Sequence, residues 1–135
     1  MAVVVREATR DDAETVAKFA MLLSEQHREY DAERFISLND EEGGKWYYGS
    51  QTESDDAVIL LAEDEGKAVG FAYIQYEAIN YADLLTSAAW LHDIYIEDSA
   101  RGSGLGGLCR RLFWKGGGVW ARFACECVST GDDVF

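Results

Sequence analysis

Two short stretches carry residues whose types and spacing could do chemistry. The first is Arg101, Gly102, Ser103, Gly104, Leu105 and Gly106, part of a run with four glycines within 102–107. Small residues let successive backbone amides turn toward one anion, and the start of a helix adds partial positive charge there. The chemistry implied is binding of a phosphate or pyrophosphate; a tight strand-to-helix turn without a ligand is the plainer alternative. The second stretch is His92 and Asp93, an imidazole and a carboxylate side by side on an apolar strand and suited to proton transfer. Neighbours on a strand face opposite sides, so only one of the two is expected to face a cleft, with the other a structural hydrogen-bonding partner.

The elements around these stretches decide what kind of anion site this is. Gly102, Gly104 and Gly107 satisfy Gly-x-Gly-x-x-Gly literally, and Glu126 follows at a distance that suits a dinucleotide-binding turn. Such a turn needs parallel strand-helix-strand crossovers, whereas an antiparallel hairpin precedes this loop. The Gly-Lys-Ser/Thr of a nucleotide P-loop is also missing.

That hairpin is read from an unbroken apolar run, 57–62, a turn at 64–67 and a β-branched and aromatic strand at 69–76. A further strand, 89–96, runs into the glycine loop, and Leu105, Leu108 and Leu112 begin a helix. Upstream, Val3, Val4 and Val5 form a first strand. Thr9 begins a helix reaching about Glu29, with Val16, Phe19, Ala20 and Leu23 as its apolar stripe. Asp31 is placed to cap a second, shorter helix carrying Phe35 and Leu38, and residues 39–44 read as a turn or mobile loop. Trp46, Tyr47 and Tyr48 then either line a substrate cleft or, as the favoured reading, cover a sheet edge. The order is strand, two helices, three strands, helix, and in the tail only 123–128 resembles another strand.

With these residues placed, the sequence resembles the GCN5-related N-acetyltransferase (GNAT) superfamily. The signature Arg/Gln-x-x-Gly-x-Gly/Ala after a strand is matched by Arg101 to Gly106, and residues 91–96 look like that family's fourth strand. The resemblance covers about residues 3–113. It implies an α/β (α+β) fold with a mixed, mainly antiparallel sheet flanked by helices, and acetyl-CoA as cosubstrate. The pantetheine arm would pair with backbone groups of Ile94, Tyr95 and Ile96 like an added strand, and the pyrophosphate would meet Arg101, Gly102, Ser103, Gly104, Leu105 and Gly106. The implied activity is direct attack of a primary amine (polyamine, amino acid or peptide) on the thioester, without metal or covalent enzyme intermediate. His92 or Asp93 would be the base, and a Glu stands at the position of His92 in the diamine-acetylating branch. That family commonly takes its general acid from a C-terminal Tyr, and no Tyr follows Tyr95, so the acid is unassigned. A catalytically poor acyl-CoA-binding domain is the alternative, and an interaction module keeping only the fold is the third.

Length and composition set the frame. The 135 residues fit one domain, 1–135, with a divergent tail at 116–135. The tail's shift to Gly, Trp, Arg and Cys suggests a truncated or frame-shifted C-terminus without the closing strands. A sheet edge left open in that way invites pairing with a second copy, a homodimer. Against 12 Lys and Arg stand 25 Asp and Glu, a net charge of −13 that repels nucleic acid and suits either plain solubility or an amine substrate. Cys109, Cys125 and Cys127 lack the pairing of a disulfide framework or a zinc site, so reduced thiols and no metal are expected. No apolar run is long enough to span a bilayer, so a cytoplasmic location with no membrane partner is expected.

Overall fold

The computed structural model describes residues 3–102 and, for the backbone, 124–125. Among the described residues, five strands form one sheet: β1 (Val3–Glu7), β2 (Ala57–Asp64), β3 (Lys67–Glu77), β4 (Ala88–Ile96) and β5 (Ala124–Cys125). Their spatial order is their chain order, with β1 to β4 antiparallel and β5 parallel to β4 through Trp90↔Ala124 and Leu91↔Cys125. The mixed, mainly antiparallel sheet is thus present, and β5 falls within the 123–128 stretch, so the sheet does continue past β4. The helix expected from Leu105 lies outside the described residues, as do Cys109 and Cys127.

Helices α1 (Ala13–Tyr30) and α2 (Glu41–Thr52) intervene between β1 and β2. The apolar stripe of α1, Val16, Phe19, Ala20 and Leu23, is buried against Ile59, Leu61, Phe71, Tyr73 and Tyr95 of the sheet. Phe19 stacks on Phe71 and lies tilted against Tyr95, at ring-centroid distances of 6.3 and 5.4 Å. The run 57–62 is apolar without alternation because both of its faces are buried: Ile59 and Leu61 belong to the helix-facing core, and Leu60 packs with Ala72, Ile74 and Ala89 on the opposite face. The β2–β3 turn has two residues, Glu65 and Gly66, both at positive φ (51° and 81°), as the twist of a tight hairpin demands.

The segment 31–44 differs from its expected form. No second helix follows Asp31. Its carboxylate does accept from the amides of Glu33 and Arg34 (both 3.1 Å), and Phe35 N–H closes one turn on Asp31 O. That turn does not propagate, because Leu38 N–H is drawn to Ser24 Oγ (2.9 Å) and Phe35 packs on His27, tying the segment down along α1. Conversely, most of 39–44 is the start of α2 and not a loop. Asp40 caps it by accepting from Gly43 N–H (2.9 Å), and Glu41 and Glu42 favour the positive helix end. Gly44 serves packing rather than turning: a Cβ there would lie 3.3 Å from the Ala17 Cβ of α1, so its absence sets how closely the two helices approach.

Candidate active site

The candidate site lies where α2 crosses the helix-facing side of β3 and β4. Strand alternation sends Phe71, Tyr73, Gln75 and Glu77 to that side, a gradient from buried aromatic to exposed carboxylate along one strand. The three aromatics at the middle of α2 do not cover a sheet edge. They diverge: Trp46 is 71% exposed, Tyr47 reaches Tyr73, and Tyr48 is buried over the sheet's face. Rings of Tyr47, Tyr48 and Tyr73 meet edge to face with centroids 5.1–6.1 Å apart, an arrangement that aromatic quadrupoles favour.

The β3–β4 register slips between Tyr73 and Ile74: Tyr73 faces Asp93 and Ile74 faces Leu91, leaving His92 as the extra residue of a bulge. The bulge changes which sides the neighbours take. His92 and Asp93 both reach the helix-facing side, contrary to the expectation from plain alternation. The His92 ring lies 5.7 Å from that of Tyr73, and Asp93 Oδ2 accepts from Tyr48 O–H at 3.2 Å. His92 Nε2 also lies 2.7 Å from Glu77 Oε1. The Tyr73 hydroxyl donates to Gln75 Oε1 at 2.6 Å and lies 3.1 Å from both Gln51 Oε1 and the Tyr47 hydroxyl.

Burial sets the protonation of this cluster. It pushes the Asp93 carboxyl above the ordinary carboxylate range, although the Tyr48 hydrogen bond and the two histidines, His92 and His27, pull the other way. Burial likewise pushes the Tyr48 and Tyr73 phenols up, so both remain hydroxyl donors near neutral pH.

On the outer edge of β4, Glu97 N–H donates to Val69 O on β3, so alternation turns the backbone groups of Ile96 and Ile94 away from β3. Tyr95, between them, sends its side chain into the helix-facing core. Ile96 O accepts from Arg101 Nε at 2.9 Å, and Arg101 also pairs with Asp98 at 2.7 Å. This clip folds the 3₁₀ turn Asp98–Ala100 back onto the strand end and leads into Gly102 at φ 78°. Ser103, Gly104, Leu105 and Gly106 lie outside the described residues.

A shallow depression of about 460 Å³ beside Glu7, Thr9, Arg10 and Glu53 sits elsewhere and is spanned by the Arg10–Glu53 ion pair; it includes none of these groups. Among the described residues, no cluster of three His, Cys, Asp or Glu is placed to hold a metal ion, and no helix is long and apolar enough to cross a membrane.

Tyr47 and Tyr48 join this cluster as in the less favoured of the two readings of the α2 aromatics, whereas spacing alone does not single out Gln51. For Tyr73, Gln75 and Glu77 a signal was available: polar atoms at every second position toward the end of an otherwise apolar strand.

The chain belongs to the acetyltransferase (GNAT) family, whose sequence model matches residues 19–109. It is 27% identical over 105 residues to the uncharacterized N-acetyltransferase YhfO of Bacillus subtilis (strain 168), covering 76% of this chain and 62% of that protein. The chain therefore spans less than two thirds of that relative. Among solved structures, a mutant of the BH1408 protein from Bacillus halodurans superposes with a TM-score of 0.76 at 19% identity, over 91% of this chain and 81% of the other. A "predicted acetyltransferase with acetyl-CoA" from Clostridium acetobutylicum has a TM-score of 0.65 at 15% identity, over 93% and 81% of the two chains. At such identities the likeness is one of fold.

Proposed function

We propose that the protein is a cytoplasmic enzyme that transfers an acetyl group from acetyl-CoA to a primary amine by direct attack on the thioester. The observation that carries this reading is the bulge in β4, which brings His92 and the buried Asp93 to one side of a strand whose outer backbone edge at Ile94 and Ile96 is turned away from β3. Family membership and an acetyl-CoA-bound fold relative support it.

Acetyl-CoA supplies the activated acyl carbon, and the chain's own residues do the rest. The outer edge of Ile94 and Ile96 offers a donor and an acceptor to an amide-bearing arm, and Arg101 and the glycines of 102–106 offer backbone amides and positive charge to a pyrophosphate. Since Arg101 already holds Ile96 O, an arm that pairs at Ile96 competes with this clip, whereas Ile94 carries no such side-chain bond. An amine reaches neutral pH as ammonium, and attack requires its lone pair. His92, with an imidazole, takes this proton, and Asp93, with a carboxyl raised by burial, is the alternative base. As the new C–N bond forms and the C–S bond breaks, the attached nitrogen gives up its second proton and the departing thiolate takes one up, so the net release is the single proton accepted by the base.

Calorimetry with acetyl-CoA, followed by thiol release across polyamines, amino acids and peptides, tests the reading. One acetyl-CoA is expected to bind. Folded Gly104→Val is expected to lose that binding, because side-chain bulk blocks approach to the backbone. His92→Ala is expected to bind acetyl-CoA normally and release thiol at least about tenfold more slowly. Unchanged affinity in Gly104→Val removes the pyrophosphate assignment, and binding without thiol release from any amine favours a domain that only binds acyl-CoA.

A further inference from the structure

The carboxylate bonded to His92 takes no part in the proton transfer proposed for His92 and Asp93. Glu77 ends β3, where its partner across the ladder is Ala88, yet its carboxylate reaches along the sheet to His92 Nε2 at 2.7 Å. Two features bring the groups together. Alternation puts Glu77 on the same side as Tyr73 and Gln75, and the bulge turns His92 to that side as well. Tyr73 then lies against the imidazole at 5.7 Å with its plane tilted by 31°, so the ring is held by one packing contact and one hydrogen bond.

We infer that Glu77 is a positioning residue that fixes the tautomer and orientation of His92, so that Nδ1 is the basic nitrogen of the site. An ionised carboxylate only accepts, and a neutral imidazole has one N–H and one lone pair, so the nitrogen bonded to Glu77 must be the one that carries hydrogen. The lone pair is left on Nδ1. A ring without Glu77 would divide between two tautomers and lose one of its two restraints, and each encounter with an ammonium would find the lone pair misplaced part of the time. Both side chains remain about 40% exposed, so the pair is reachable by a small cation and is not a buried structural bridge. This inference rests on the acetyl-transfer reading for its effect on rate, but its structural content stands apart from turnover.

The test uses the full chain and two variants, Glu77→Ala and Glu77→Gln. Nitrogen NMR of the neutral His92 ring is expected to show hydrogen on Nε2 in the parent, a mixture of tautomers in Glu77→Ala, and recovery of the Nε2–H form in Glu77→Gln, whose amide oxygen still accepts. In thiol release, Glu77→Ala is expected to lower kcat about tenfold with KM for acetyl-CoA unchanged, and Glu77→Gln to regain most of that loss. Hydrogen on Nδ1 in the parent, or the same tautomer in Glu77→Ala, overturns the inference. So does an unchanged kcat in Glu77→Ala. A parent that releases no thiol overturns the effect on rate together with the acetyl-transfer reading, and the tautomer measurement, which needs no turnover, separates that result from a failure of the Glu77–His92 contact.

Discussion

Asp93 is a charged residue placed where burial disfavours its charge, with Tyr48 O–H as its neutral hydrogen-bonding partner. The sign of its linkage is the reverse of an ordinary surface carboxylate. Because burial raises its pKa in the folded chain, the folded state holds the proton more tightly, and stability falls as pH rises from about 4 through the raised value. Asp93→Asn keeps the shape and an acceptor for Tyr48 but removes the charge. It is therefore expected to be at least as stable as the parent at neutral pH in urea unfolding, while losing activity if Asp93 takes part in proton removal. A marked loss of stability in Asp93→Asn would mean that the ionised carboxylate contributes to holding α2 on the sheet. Tyr48→Phe should shift in the opposite direction: one donor is lost, the carboxyl becomes harder to ionise, and stability drops by about 1–2 kcal/mol.

Strands β3 and β4 meet unusually closely at one end. A Cβ added to Gly70 would lie 2.5 Å from Tyr95 O and 3.2 Å from Ile96 Cα, both backbone atoms that cannot swing aside. Gly70→Ala is expected to cost about 1–3 kcal/mol in denaturant unfolding and to weaken acetyl-CoA binding by displacing the β4 edge. Unchanged stability would show that the ladder can open there. The hairpin, β4 and α1 were legible in the residues because their apolar spacing is set by burial alone: 57–62 is apolar on two faces, and Val16, Phe19, Ala20 and Leu23 form one stripe. α2 was not legible, since Gly43 and Gly44 carry the local marks of a turn and only the neighbouring Ala17 makes the second glycine a packing residue. The bulge escaped for a similar reason. Nothing in the residues 91–96 marks it, and a slip of one residue reverses the side on which His92 is found. Of the described cluster, His92 and Asp93 were legible as an adjacent imidazole and carboxylate, and the partners Tyr48 and Glu77 were not, because they come from other elements of the chain.

At the scale of the molecule, the charge of −13 makes the few cations costly to lose. Arg6 ties β1 to Asp12 at 2.8 Å and also bonds Glu63 of β2, while Asp12 accepts from Thr9 N–H at 2.9 Å before α1 begins. The Arg6 ion pair holds the Asp12 carboxyl down to about 2, against burial and with help from Thr9. A depressed folded pKa means that this stabilisation is present above about pH 4 and disappears as pH falls through about 2. Arg6→Ala should thus be less stable at neutral pH and show a shallower loss toward acid; parallel pH profiles for parent and variant would contradict it. The order of the strands has another consequence. Since β1 to β4 neighbour one another in chain order, every partner of the antiparallel sheet has been synthesised once Ile96 leaves the ribosome. The segment from Ser103 onward emerges later, and β5 joins an edge that can already exist. His92, Asp93 and Glu77 can accordingly be in position before the glycines proposed to bind pyrophosphate have emerged from the ribosome, so that the anchor proposed for the acyl donor is added last.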